Sequence, residues 1–137
     1  MSASRQYKLR YSVADYAAWK GDWELWGGVP VAMTPSPIGG HQAVLTRLAR
    51  AIGNELERVD CEAEVLVELD WIISNDTVVR PDLVVVCGPP RKGHLNAAPS
   101  IAVEIVSSAS YQRDHVHKRD LYGEQSVAEY WIVDPKE

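Results

Sequence analysis

The run Ile101 to Val106, IAVEIV, has the texture of a buried strand, yet its fourth residue is a carboxylate, Glu104. Alternation along a strand places Ile101, Val103 and Ile105 on one face and Ala102, Glu104 and Val106 on the other. Glu104 thus lies between two apolar neighbours on its own face. Burying an unpaired carboxylate costs several kcal/mol or forces it to take up a proton. Either something positive waits beside it, a metal ion being the sharp case, or the strand lies at a sheet edge with this face in water. Taken alone, the stretch favours the wet edge, since structural ion pairs also occupy such places.

The remaining residues supply elements to pack around that strand. Ser12 and Asp15 have the spacing of a capping box, which predicts a short helix over 12–19. WELWGGVPVAM reads as two strands around Gly27-Gly28, a hairpin, with Glu24 and Trp26 on one face and Trp23 and Leu25 on the other. As a hairpin residue Glu24 is expected to face solvent. TPSPIGG (34–40) is a loop. From His41 to Val59 the apolar positions Val44, Leu45, Leu48, Ile52, Leu56 and Val59 recur at helical spacing, the clearest helix in the chain. His41 opens it, placed equally for an orienting contact or for chemistry.

EAEVLVELDWII (62–73) alternates and predicts one half-buried strand showing acids to water. SNDT turns the chain, which returns as VVRPDLVVVC. Pro81 cannot donate to a ladder, so it marks a strand start or a bulge. Asp82 follows at the lip of the apolar run Leu83 to Val86. The polar loop 88–100 is long enough for mobility or contact with a partner. A helix over Tyr111–Gly123 lines up Asp114, Lys118 and Tyr122 at i, i+4, i+8, and Glu129–Val133 forms a last strand. This order predicts an α/β domain, a mixed sheet with helices packed on it.

The 137 residues have room for one domain spanning 1–137. No apolar run nears the roughly 18 residues that span a bilayer, and the N-terminus shows no apolar signal core. Membrane partners are therefore not expected, and the expected compartment is cytoplasmic. Cys61 and Cys87, without paired spacing, are expected to be free buried thiols. A net charge of −5 argues against a sequence-independent DNA coat but not against a local basic groove. Arg113, His115, His117, Lys118 and Arg119 crowd into seven residues, a run read first as a solvated helix face. His115 and His117, two apart on a helix, point to different sides and make a poor zinc pair.

Two acids on adjacent apolar strands with a lysine one helix away suit phosphoryl chemistry. Mg²⁺ takes oxygen ligands in an octahedron at ~2.1 Å and keeps several waters. Asp82 and Glu104 would supply carboxylates and Ile105 a carbonyl, with Lys118 beside the attacking water.

Five short motifs occur in order: GGVPVAM after an acid, His41 opening a helix, RPDLVVV, IAVEIVSSAS with Asp114 and Lys118 beyond it, and AEYWIVDP. In this the chain resembles the Uma family of restriction endonucleases, within the PD-(D/E)XK nuclease superfamily, from about Tyr11 to Pro135. The resemblance implies a restriction-endonuclease-like fold and DNA cleavage dependent on Mg²⁺, with Mn²⁺ as a substitute. Asp82 matches the acid of the PD pair and Glu104 the second acid. The superfamily's usual lysine position is Val106 here, and the family's displaced lysine matches Lys118. Glu24 resembles an additional acid from the early hairpin, and Asp114 and Tyr122 match residues supporting the helix face. Family members continue into further strands beyond the position of Glu137, which implies an edge left open or covered by a second subunit, a homodimer. The alternative is a catalytically silent nucleic-acid-binding or protein-interaction module on the same fold, to which an intact Asp82, Glu104 and Lys118 is the counter-argument.

Overall fold

The structure, a computed structural model, describes residues 10–33, 39–89, 92–106 and 111–135, the side chains of 111–114 excepted. Among the described residues, eight strands form two four-stranded sheets. The first begins with a hairpin, β1 (Trp23–Trp26) and β2 (Val29–Ala32), in register Trp26↔Val29. Gly27 and Gly28 join them at φ 55° and 87°, the left-handed pair that a two-residue hairpin requires. At Gly28 a Cβ would also stand 3.0 Å from that of Arg10, so the position admits glycine on two grounds. Before the hairpin, α1 (Val13–Tyr16) is shorter than the 12–19 expected, but its Ser12–Asp15 capping box is formed.

The strand expected over 62–73 is two strands in two sheets. β3 (Ala63–Val67) pairs with β6 (Leu83–Cys87), whereas β4 (Trp71–Ser74) pairs with β5 (Thr77–Val79). The chain turns between them at Glu68, whose φ of 51° no strand accommodates. The returning chain changes sheet at the same level, through Arg80, Pro81 and Asp82, where proline has no N–H to give a ladder. Glu68 N–H donates to Asp82 O at 3.1 Å and pins the two crossings together. Asp82 therefore sits at a sheet-to-sheet junction.

The sheet orders are β2-β1-β5-β4, antiparallel, and β3-β6-β7-β8, mixed. β7 (Ile101–Ile105) runs antiparallel to β6 and parallel to β8 (Glu129–Val133). A parallel pair needs a crossover, and α3 (Tyr111–Glu124) provides it. The second helix, α2 (Gly39–Arg58), covers one face of the mixed sheet, where Leu45 packs with Leu83, Val85, Val103 and Ile105. The other face buries Val84, Val86 and Ala102 with Trp71, Val79, Leu95 and Tyr122. Coverage on both faces explains the unbroken apolar run Leu83–Val86 of β6 and the apolar residues on either side of Glu104 in β7.

β7 is thus an interior strand, and the wet-edge reading of Glu104 is overturned. Three other expectations change. The 88–100 loop is anchored by Leu95, which is buried and exchanges hydrogen bonds with the edge of β4: Ile72 N–H to Leu95 O at 2.8 Å, and Leu95 N–H to Asp70 O at 2.9 Å. Both cysteines are free but exposed, because they stand at element ends and not in a core. Gly39 and Gly40 of the expected 34–40 loop belong to α2, while 34–38 lie outside the described residues. Among the described residues no helix is long and apolar enough to cross a membrane.

Candidate active site

α3 lays Lys118 and Tyr122, one turn apart, over the face of β7 that carries Glu104. Lys118 is 4% exposed, and its Nζ lies 2.8 Å from Glu104 Oε1 and 2.9 Å from Glu24 Oε2. The positive group that Glu104 demanded is this ammonium. Tyr122, stacked on Trp71, donates its hydroxyl to the same Glu104 Oε1 at 2.9 Å. Glu104 Oε2 receives no hydrogen bond from the described residues. Glu24 is buried, not solvent-facing as the hairpin alone implied. It accepts from Arg80 N–H at 2.6 Å, and from Trp26 Nε1 at 3.2 Å, besides pairing with Lys118.

Asp82 adjoins this group. Leu83 faces Val103 and Val84 faces Ala102, so the next step of the register sets Asp82 opposite Glu104. Opposed residues of an antiparallel pair share a face with Cβ atoms about 5 Å apart, and like charges there repel. Asp82 Oδ2 accepts from Ile105 N–H at 2.7 Å. Because N–H and C=O of one strand residue leave on the same side, the Ile105 carbonyl also points toward Asp82. His41, at the start of α2, places Nε2 3.5 Å from Asp82 Oδ1, an orienting contact.

Three carboxylates, Glu24, Glu104 and Asp82, thus stand against one ammonium. Burial first, then the charges of Asp82 and Glu24, push the Glu104 carboxyl up to about 7 against the pull of Lys118. Burial also raises Asp82, opposed by the Ile105 N–H and by His41. Burial works against the charge of Lys118, but Glu104 and Glu24 together outweigh it and hold the ammonium protonated beyond the ordinary lysine range. Burial and the Glu104 charge raise Tyr122 well above its ordinary value, so its hydroxyl remains a donor.

Seven of the eight residues singled out from the sequence therefore meet: Glu24, Glu104, Lys118 and Tyr122 in one bonded group, with Asp82, Ile105 and His41 against it. The side chain of Asp114 lies outside the described residues. Among those described, no three His, Cys, Asp or Glu side chains are gathered so as to hold a metal by themselves. Sequence reasoning missed Trp26 and Arg80, although alternation had set Trp26 on the face of Glu24. The histidines of α3 are half-buried and not solvated: His117 stacks on Trp26 with centroids 4.1 Å apart, and His115 lies 6.1 Å from Tyr130.

A family model described as Uma2, putative restriction endonuclease, matches residues 13–137. The chain is similar in structure to a putative nuclease belonging to DUF820 from Anabaena variabilis, with a TM-score of 0.76 and 21% identity. The match covers 92% of this chain and 75% of that one. It bears out the α/β, restriction-endonuclease-like arrangement, and at that identity it speaks for the fold alone. No curated protein matches the chain.

Proposed function

The chain belongs to the Uma2 family of putative restriction endonucleases, and we propose that it hydrolyses DNA phosphodiester bonds with a divalent metal ion held at Asp82 and Glu104. The observation that carries the reading is the approach of Asp82, one residue before β6 and bonded to the Ile105 N–H, to Glu104 of β7, which has an ammonium 2.8 Å away. The donors suit Mg²⁺, a hard ion that prefers oxygen and retains several waters, so two carboxylates and the Ile105 carbonyl suffice. Mn²⁺ accepts the same ligands. The excess of buried negative charge, and a Glu104 Oε2 to which none of the described residues donates, are what such an ion would satisfy.

When bound, the ion polarises a phosphoryl oxygen and lowers the pKa of a bound water. The chain's own residues do the rest. Lys118, fixed by two carboxylates, presents its positive charge where negative charge grows on the phosphate. Tyr122 holds the rotamer of Glu104, and His41 and the Ile105 N–H hold that of Asp82.

Supercoiled plasmid incubated with the protein and Mg²⁺ or Mn²⁺ tests this. Nicking is expected, stopped by chelator and reduced about 100-fold or more by Lys118→Ala or Glu104→Gln. If no divalent metal supports nicking and DNA still binds, the reading fails and a binding module takes its place.

A further inference from the structure

We infer that Glu24 is the fixed half of a clamp on Lys118 and not a metal ligand, and that Trp26 positions this clamp. The inference rests on the nuclease reading and adds to it a division of labour among the acids. Among the described residues Glu104 has two donors, Lys118 and Tyr122, both on Oε1, and Oε2 faces none of them. Glu24 has both oxygens engaged, Oε2 by Lys118 and the Arg80 N–H, Oε1 by Trp26. The Arg80 donor is backbone at the end of β5, and its guanidinium is tied to Asp70 at 2.7 Å and Asp22 at 2.8 Å. Glu24 cannot turn toward Asp82 without breaking bonds to a rigid frame. Among the described residues this leaves Asp82 and Glu104 as the acids for an ion.

Trp26 grips both ends of the Glu24–Lys118 pair. Its Nε1–H donates to Glu24 Oε1, and its ring face stacks on His117 at an interplanar angle of 21°. His117 immediately precedes Lys118 in α3, so the ring fixes the helical turn that carries the ammonium. One side chain locks carboxylate and lysine to each other across β1 and α3. A small error in the ammonium's position is costly, since misplacements of about 1 Å cost catalysis about 100-fold.

The test counts Mn²⁺ ions by electron paramagnetic resonance of the free ion and measures plasmid nicking on the same samples. Trp26→Phe keeps a ring over His117 and deletes the N–H. It is expected to bind one Mn²⁺ per chain within about threefold of the parent affinity, with kcat about 10- to 100-fold lower and KM for DNA unchanged. Glu24→Gln is expected to keep the Mn²⁺ count, whereas Asp82→Asn weakens Mn²⁺ binding about 10-fold or more. Should Glu24→Gln not fold, Glu24→Asp, which keeps the charge, carries the count. A Mn²⁺ lost on changing Glu24 makes it a ligand and overturns the inference, as does a Trp26→Phe kcat equal to the parent's. A parent protein that binds no Mn²⁺ sinks the nuclease reading itself, and the clamp with it.

Discussion

Burial, with the charges of Asp82 and Glu24, pushes the Glu104 carboxyl up to about 7 against the pull of Lys118. Its ordinary value, which the unfolded chain restores, is 4.5. Between those values the folded state keeps a proton that the unfolded state has released. This contribution to stability therefore falls as pH rises through the window, by at most about 1.4 kcal/mol per pH unit, and levels off above about 7. The melting temperature of metal-free protein is expected to drop from pH 5 to pH 7 more steeply than that of Glu104→Gln. Parallel pH profiles for the two would place the repulsion elsewhere. Mn²⁺ at pH 7.5 should raise the melting point of the parent and leave that of Glu104→Gln nearly unmoved. Tyr122 acts on the same oxygen. Removing its buried hydroxyl in Tyr122→Phe deprives Glu104 of one of two donors and is expected to cost about 1–2 kcal/mol by urea unfolding. A change under a few tenths would mean that Lys118 alone satisfies Glu104.

The element boundaries carry their own strain, and Glu68 is the clearest case. An L side chain in the left-handed region costs about 1–2 kcal/mol, and Glu68, exposed at φ 51°, sits there between β3 and β4. Glu68→Gly is expected to stabilise the chain by about 0.5–1 kcal/mol, the strain relief less the added freedom of the unfolded glycine. A destabilised variant would show that the carboxylate makes a contact worth more than the strain. Glu68 also marks where the sequence stops being legible. The hairpin at Gly27-Gly28, α2, α3 and β8 announce themselves because their signals are local: a glycine pair, a period of 3.6, a closing Asp-Pro. The alternation from Ala63 to Trp71, with Leu66 its one exception, runs on while the chain leaves one sheet for another, and alternation reports faces, not partners. The same limit hid the burial of Glu24. Its own strand gave the face correctly, but the lid over that face is α3, whose Lys118 comes 94 positions later, and only Lys118 and Trp26 together show the carboxylate to be enclosed. His117 was misjudged for the mirror reason, since its charged neighbours suggested water and its actual neighbour is an indole.

At the scale of the whole molecule, the proposed activity requires an acidic chain to approach an acidic polymer. Nineteen acids oppose fourteen lysines and arginines, and several of those cations already serve internal acids. Arg58 pairs with Glu55, Arg80 with Asp70 and Asp22, Lys118 with Glu24 and Glu104, and Arg119 with Asp120. Affinity for DNA falls with salt in proportion to the phosphates that protein cations neutralise, with a logarithmic slope near −0.9 per phosphate. With a net charge of −5 and these four cations paired internally, the chain is expected to engage about two or three phosphates, giving a slope of about −2 to −3. A divalent ion between the Asp82–Glu104 pair and the scissile phosphate would then supply a large part of the attraction. Lys118→Ala, which should bind without cutting, allows the measurement by fluorescence anisotropy of a labelled duplex from 50 to 200 mM NaCl, with and without Mg²⁺. Binding should be weak in chelator and strengthen several-fold with the ion, on a shallow slope in both cases. A slope of about −6 without metal would instead mean a broad basic surface. The ion would then serve only chemistry, and the acids of the site would play no part in bringing DNA to it.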